Sequence, residues 1–489
     1  MLSVLSINYS SQLSILASDN YSSSVKYQVR IDKDNMKVAY VTASFIPQSD
    51  TLYMYPGANN HEKRWAKFVS NLSLMSQTGQ SIAVTQNEDG VWLMPQDINA
   101  PVTLSYQVNL SHESFEWSGG IDGAAYARED GVFYTGRSLF VINGDRRENI
   151  MVTFDSDDDW KVSNPWLVTE VNNQFIATDL DDLAFGMIFA GTHEEFIIRE
   201  GNFEAIFALG NSVKQHQQEF TEIAQGIFDY YVSLFGGIPK TGNDDYIKTV
   251  VIVNSAAQTD GEVVGNNISI LLDPEGDEMS HTIARFVLVH EFFHLWNGKS
   301  FGPQEENMEW FKEGFTNYYT LKALHHVGSL TDETFIALFE NFFYQRYITD
   351  SEIGSVSMTE GDKKHSNWGV IYAGGMMASM AIDMLIRGDS DNERNLDNVM
   401  REVYTKFHGE NYYTMADIKD LLETEYQSSL DSFYEEYIIG AKSIPIADFL
   451  TTAGIKSEPV NGKLGLSLET NPSESTRAIR ASMMGKLDH

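Results

Sequence analysis

The sequence predicts a multidomain α+β protein in three parts: an N-terminal antiparallel β-sandwich, a central domain mixing strands with long helices, and a C-terminal all-α domain. Three observations carry this reading. The chain has 489 residues, too many for one compact core. Its first third is written as short alternating apolar runs broken by turn residues. From Val213 onward the apolar residues recur at helical spacing and the segments lengthen.

The strands come first. Lys26–Ile31, Lys37–Ile46, Val102–Leu110, Gly131–Ile142 and Ile150–Phe154 alternate with period two and are rich in Val, Tyr, Phe and Thr. Glu88-Asp89-Gly90 and Asn143-Gly144-Asp145 read as turns between them. A long amphipathic helix follows over Val213–Phe235, stopped by Gly236-Gly237. Thr249–Val253 and Ile268–Leu272 are short apolar strands. Asp277–Trp296 reads as a mostly buried helix with Ser280 as its cap and Asn297-Gly298 as its stop. Met308–His326 is the next helix. Asp332–Tyr347, Trp368–Ile386, Leu396–Phe407 and Met415–Tyr437 complete an all-helical stretch, and the tail after Gly454 is polar and weakly patterned.

Composition narrows the chemistry. Hydrophobic residues make up 42% of the chain, enough for large cores, and the formal net charge is −35. Such acidity repels nucleic acid and anionic membrane surfaces, so no nucleic-acid partner is expected. There is no cysteine, which excludes disulfides, thiolate metal sites and cysteine nucleophiles; a transition metal would need His, Asp and Glu. No apolar run reaches the length of a membrane span. Met1 to Asn20 contains no Lys or Arg, so a signal peptide's charged start is missing. The compartment, whether periplasmic, secreted or cytoplasmic, stays open, as does the oligomeric state.

The chemistry concentrates at His290-Glu291-Phe292-Phe293-His294. Two histidines four apart on a helix lie one turn apart on one face, so both can reach one ion. Glu291 projects beside that face, where a carboxylate can take a proton from a metal-activated water without ligating the metal. A catalytic Zn²⁺ wants three protein ligands and one open position. Glu313, with eighteen residues between it and His294 and set in Trp310-Phe311-Lys312-Glu313-Gly314-Phe315-Thr316, starts a neighbouring helix and is the candidate third ligand. Asn317, one turn further on, is either a hydrogen-bond partner for a ligand imidazole or a surface side chain.

The stretches HEFFHLWNGKSFGP at His290–Pro303 and EWFKEGFTNYYT at Glu309–Thr320 resemble the glycyl aminopeptidase family of zinc metallopeptidases. These are gluzincins, often carry a PDZ domain, and are related to aminopeptidase N and thermolysin. The resemblance extends to the leading β domain and to Tyr372-Ala373-Gly374-Gly375. It implies a thermolysin-like catalytic domain, one catalytic zinc ion, a peptide substrate, and release of small N-terminal residues such as Gly or Ala. It also implies that Tyr372 is the tyrosine that hydrogen-bonds the reaction's oxyanion. The family's Gly-Gly-Leu-Glu-His-like block, whose Glu grips the substrate amine, is not intact here. The corresponding segment reads Asp260-Gly261-Glu262-Val263-Val264-Gly265-Asn266-Asn267, with Glu262 as the candidate amine anchor.

The expected division is an extension over 1–24, a β-sandwich over 25–168, a thermolysin-like zinc peptidase domain over 169–328, a helical domain over 329–454 and a tail over 455–489. Only 35 residues follow Gly454, fewer than the roughly 80–100 a PDZ domain needs, so no complete PDZ domain is expected. Two rival readings stand beside the aminopeptidase: an endopeptidase on the same zinc scaffold, and a zinc-containing binding protein without turnover.

Overall fold

Why the alternating runs become a β domain is plain in the first strand: Lys26–Asp32 buries every second residue against a core that includes Tyr27, Val29 and Ile31. The computed structural model describes residues 25–117, 123–240, 247–364, 366–409, 412–460 and 463–487. The expected extension over 1–24 lies outside the described residues. The chain forms two units, Met1–Gly191 and Thr192–His489.

The first unit is built on an eight-stranded sheet with two four-stranded sheets, and its core gathers Trp65, Trp92, Phe140 and Trp166. One pair departs from the antiparallel expectation: Lys26–Asp32 runs parallel to Glu148–Asp155. The stretch expected as one strand over Gly131–Ile142 is strand Gly131–Thr135, a helical turn Gly136–Leu139 and strand Val141–Ile142. A Cβ at Gly136 would lie 1.7 Å from the Leu183 carbonyl oxygen, so glycine permits this close passage of two backbones.

The second unit begins with a five-stranded sheet of β1 (Glu194–Glu200), β2 (Phe203–Leu209), β3 (Ile247–Ser255), β4 (Asp260–Val264) and β5 (Asn267–Leu272). The order is β1-β2-β3-β5-β4. β2, β3 and β5 run parallel, and the edge strand β4 is antiparallel to β5. Four long helices matter for the site: α1 (Gln217–Phe235), α2 (Glu278–Phe293), α3 (Glu309–His326) and α4 (Gly374–Asp389). The cap of α2 is Asp277, whose carboxylate accepts from the backbone N–H of Ser280 at 2.8 Å. Ser280 is therefore at the third helical position rather than the cap, because the aspartate carboxylate satisfies that orphan donor first.

One continuous core runs from Ile198 through α1–α4 to Met484. The tail is part of it: Ile455–Val460 and Lys463–Leu468 form a hairpin, Glu474–Met483 forms a helix, and Ile455, Ile479, Met483 and Met484 are buried. Met415–Tyr437, expected as one helix, stops at Tyr426 where Gln427 turns left-handed at φ 60°. Gly369–Asp389 is the one described helical stretch long and apolar enough to cross a membrane, and most of its side chains are buried in this core.

Candidate metal centre

His290 lies in the last turn of α2 and His294 is the helical residue that caps its end, so the spacing of four puts both on one face, and both are buried at 8% exposure. α3 packs across them and delivers Glu313, 4% exposed. The crossing is close because two glycines meet. A Cβ on Gly314 would stand 2.2 Å from the backbone of Gly375 at the start of α4, and one on Gly375 would stand 2.1 Å from the Trp310 carbonyl oxygen. α3 and α4 thus approach backbone to backbone, next to Glu313 on one side and Tyr372 on the other.

The three inward atoms form a triangle. His290 Nε2 and His294 Nε2 are 3.1 Å apart, and Glu313 Oε2 is 3.4 and 3.3 Å from them. A four-coordinate divalent ion with bonds of about 2.0–2.1 Å holds its ligand atoms about 3.3 Å from one another. The donors therefore fit such an ion, and a four-coordinate ion held by these three side chains would have one position for water or substrate. Among the described residues this is the one His/Asp/Glu group with metal-holding spacing.

Surrounding groups hold His294 and Glu313 in place. His294 Nδ1 is 2.8 Å from the Asn297 carbonyl oxygen, so that nitrogen carries the proton and Nε2 is free to ligate. Asn297 also donates to the Lys312 carbonyl oxygen at 3.0 Å and to Thr316 Oγ1 at 3.2 Å, tying the end of α2 to α3. Glu313 divides its oxygens: Oε2 faces the imidazoles, while Oε1 lies 3.3 Å from both Lys312 Nζ and Lys364 Nζ. Lys364 is itself held at 2.6 Å by Glu309. Burial alone would raise the Glu313 pKa; His294, His290 and Lys312 hold it well below the ordinary carboxylate range. Burial works against a charged His290, yet the carboxylates of Glu313 and Glu291 raise its pKa. Lys299 moves the other way, lowered by burial and by the Lys312 charge, with Glu291 opposing.

The remaining expected residues take distinct places. Glu291 is half-buried on the same helix. Asn317, 1% exposed, donates to the Tyr372 carbonyl oxygen at 3.2 Å and also raises the His290 pKa. The Nδ1 atom of His290 nevertheless has no partner in hydrogen-bonding geometry. Tyr372 sits in a π-turn, Gly369–Ala373, and stacks on Trp368 with centroids 5.5 Å apart. Burial first, then the charges of Glu313, Glu309 and Glu291, push its phenol pKa upward; Tyr372 is thus close enough to feel all three carboxylates. On β4 it is Gly261 that faces α2: a Cβ there would meet Val287 at 2.4 Å and Glu291 at 3.6 Å. Pleat alternation turns Glu262 to the opposite face. The residues that sequence reasoning misses are Asn297, Lys312 and Lys364. Asn297 has a signal as the helix stop, but nothing local marks Lys364 as a partner of a residue 51 positions earlier.

Residues 26–184 match the family model of the peptidase M61 N-terminal domain, and residues 222–437 match that of the peptidase family M1 domain. Among solved structures, the chain is similar to an aminopeptidase N family protein from Idiomarina loihiensis. The TM-score is 0.73 at 18% identity, over 89% of this chain and 79% of that one. No curated protein matches.

Proposed function

We propose that this chain, whose residues 222–437 match the peptidase family M1 domain, is a zinc-dependent aminopeptidase of the gluzincin type that releases small N-terminal residues such as Gly or Ala from peptides. The observation that carries the zinc reading is the triangle of His290, His294 and Glu313 at 3.1, 3.3 and 3.4 Å. Two imidazoles, one carboxylate and no available thiolate suit Zn²⁺ at a catalytic site with one open position.

When bound, zinc would polarise the scissile carbonyl and lower the pKa of the attacking water. The protein's own groups do the rest. Glu291 takes the proton of that water and hands it to the leaving amine. The C–N bond breaks as the new C–O bond completes the carboxylate product. Tyr372, kept protonated by its raised pKa, donates its phenol hydrogen to the carbonyl oxygen as charge builds there. Lys312 and Lys364 fix one oxygen of Glu313 so that the other stays on the metal side. Asn297 and Asn317 orient the ligand helices.

Exopeptidase action is supported by the likeness to an aminopeptidase N family protein; the edge strand β4 beside α2, on which an extended peptide can add as a further strand, serves either reading. The endopeptidase reading is favoured by one observation: Gly261, not Glu262, faces α2. Aminoacyl reporters and internally quenched peptides with blocked N-termini, assayed side by side, separate the two. Rapid cleavage of free-amine substrates with blocked peptides left nearly intact is expected. Equal kcat/KM on blocked peptides would move the assignment to an endopeptidase. A zinc-loaded protein that cleaves no member of a diverse peptide library would move it to a binding protein.

A further inference from the structure

A second cleft in the catalytic unit, of about 780 Å³, lies between α1, the end of α3 and the C-terminal helix Glu474–Met483. Its lining includes Arg477, Arg480, Lys486, Tyr230, His325 and Asp332. His326, at the end of α3, is thirteen residues beyond Glu313, about 20 Å along the helix axis at 1.5 Å per residue. The cleft is therefore remote from the metal triangle.

Arg480 is the unusual member. It is only 9% exposed, and its Nη1 is buried without a hydrogen-bond partner. No ion pair answers it among the described residues. The two nearby acids are engaged elsewhere: Asp332 lies 2.9 Å from His325 Nε2, and Asp229 accepts from Gln225 at 2.8 Å. Tyr230, 1% exposed and lining the same cleft, also has a hydroxyl without a partner. Arg480 is thus a buried cation that no acid answers among the described residues, in a chain whose net charge is −35.

A buried guanidinium without an acceptor is costly. Its planar fork matches a carboxylate or phosphate two oxygens at a time. Arg477 and Lys486 add positive charge at the exposed rim, where it draws an anion inward. The floor is held in shape independently of any ligand: His326 packs on Tyr230 with centroids 4.6 Å apart, and its Nδ1 reaches the Gly485 carbonyl oxygen at 3.0 Å.

We propose that this cleft binds a small oxyanion, a phosphate- or carboxylate-bearing molecule, with Arg480 as its principal contact and Arg477 and Lys486 as its rim. The test is isothermal titration of the metal-loaded protein in chloride buffer with inorganic phosphate and, separately, with citrate. Wild type is compared with Arg480→Gln and with the exposed double variant Arg477→Gln/Lys486→Gln, which leaves the core untouched. Saturable binding of at least one probe is expected, weakened about tenfold or more by Arg480→Gln and several-fold by the rim variant. Phosphate alone binding assigns a phosphoryl ligand, citrate alone a carboxylate. A repeat on protein stripped of metal should give the same affinity. Binding lost on stripping would place the anion at the metal triangle and overturn the proposal. So would affinities unchanged in both variants, or no saturation by either probe below about 10 mM. Should Arg480→Gln fail to fold, the rim variant still decides.

Discussion

The side chain whose role is most exposed to test is Tyr372. Its ring stacks on Trp368, and burial together with three carboxylates keeps its phenol protonated. A donor that meets charge only as it develops contributes to kcat rather than to substrate binding. Tyr372→Phe should therefore lower kcat by about 10²-fold with KM nearly unchanged; equal loss in both constants would indicate a packing role. Glu313 invites a second experiment through its lysines. Lys364→Met removes a cation 3.3 Å from Glu313 Oε1 and 2.6 Å from Glu309. Zinc affinity should fall by about 10–100-fold, the usual effect of removing a group that orients a ligand, as measured by competition with a chromophoric chelator.

At the scale of elements, the site depends on how closely α3 and α4 cross. Gly314 and Gly375 leave no room for a Cβ, with backbone atoms 2.2 and 2.1 Å from where it would stand. Gly314→Ala should destabilise the protein by about 1–3 kcal/mol despite alanine's better helix propensity, as read by chemical denaturation. A second tie is Asp383 on α4, fully buried, which accepts from Arg387 Nε at 3.0 Å, Tyr318 Oη at 2.7 Å and Leu396 N at 2.9 Å. Burial would raise its pKa, but Arg387 and Lys322 hold it below the ordinary aspartate range. A depressed folded pKa stabilises fully above the unfolded value and loses that contribution as pH falls through the folded one. Asp383→Asn should thus cost about 3–5 kcal/mol near neutrality. The gap to wild type should shrink below about pH 4, where the unfolded aspartate takes up its proton. A gap independent of pH would show that shape, not charge, is what the position contributes.

For the whole molecule, the sequence is most legible where function is local. His290, Glu291 and His294 share one helical turn, and Glu313 follows at a spacing that a packed helix pair can bring together. The aromatic residues flanking Glu313 mark α3 as buried. What escapes a reading of the sequence is tertiary: Lys364 meets Glu313 across 51 residues, and no periodicity announces such a contact. The tail reads as weakly patterned because its anchors are few. Ile455, Ile479 and Met483 are spread thinly among polar residues, and only the packed core shows that they are buried. Distance along the chain from His290 points to Glu262, whereas strand pleating decides which side chain faces α2. Gly131–Ile142 reads as one strand because most of its residues are apolar or small; the close passage at Gly136 breaks it.

A metal held by three side chains of the native state should also couple to the stability of the catalytic unit. Chelation should abolish hydrolysis and lower Tm, and added zinc should restore both. The mechanism rests on His290, His294 and Glu313 holding one catalytic zinc while Glu291 acts as the base. Zinc content per chain and peptide turnover, measured together on wild type and Glu291→Gln, test it most directly. One zinc per chain is expected in both proteins, with hydrolysis in wild type alone. Undiminished hydrolysis by Glu291→Gln, or a wild-type protein that turns over peptides without zinc, would contradict it.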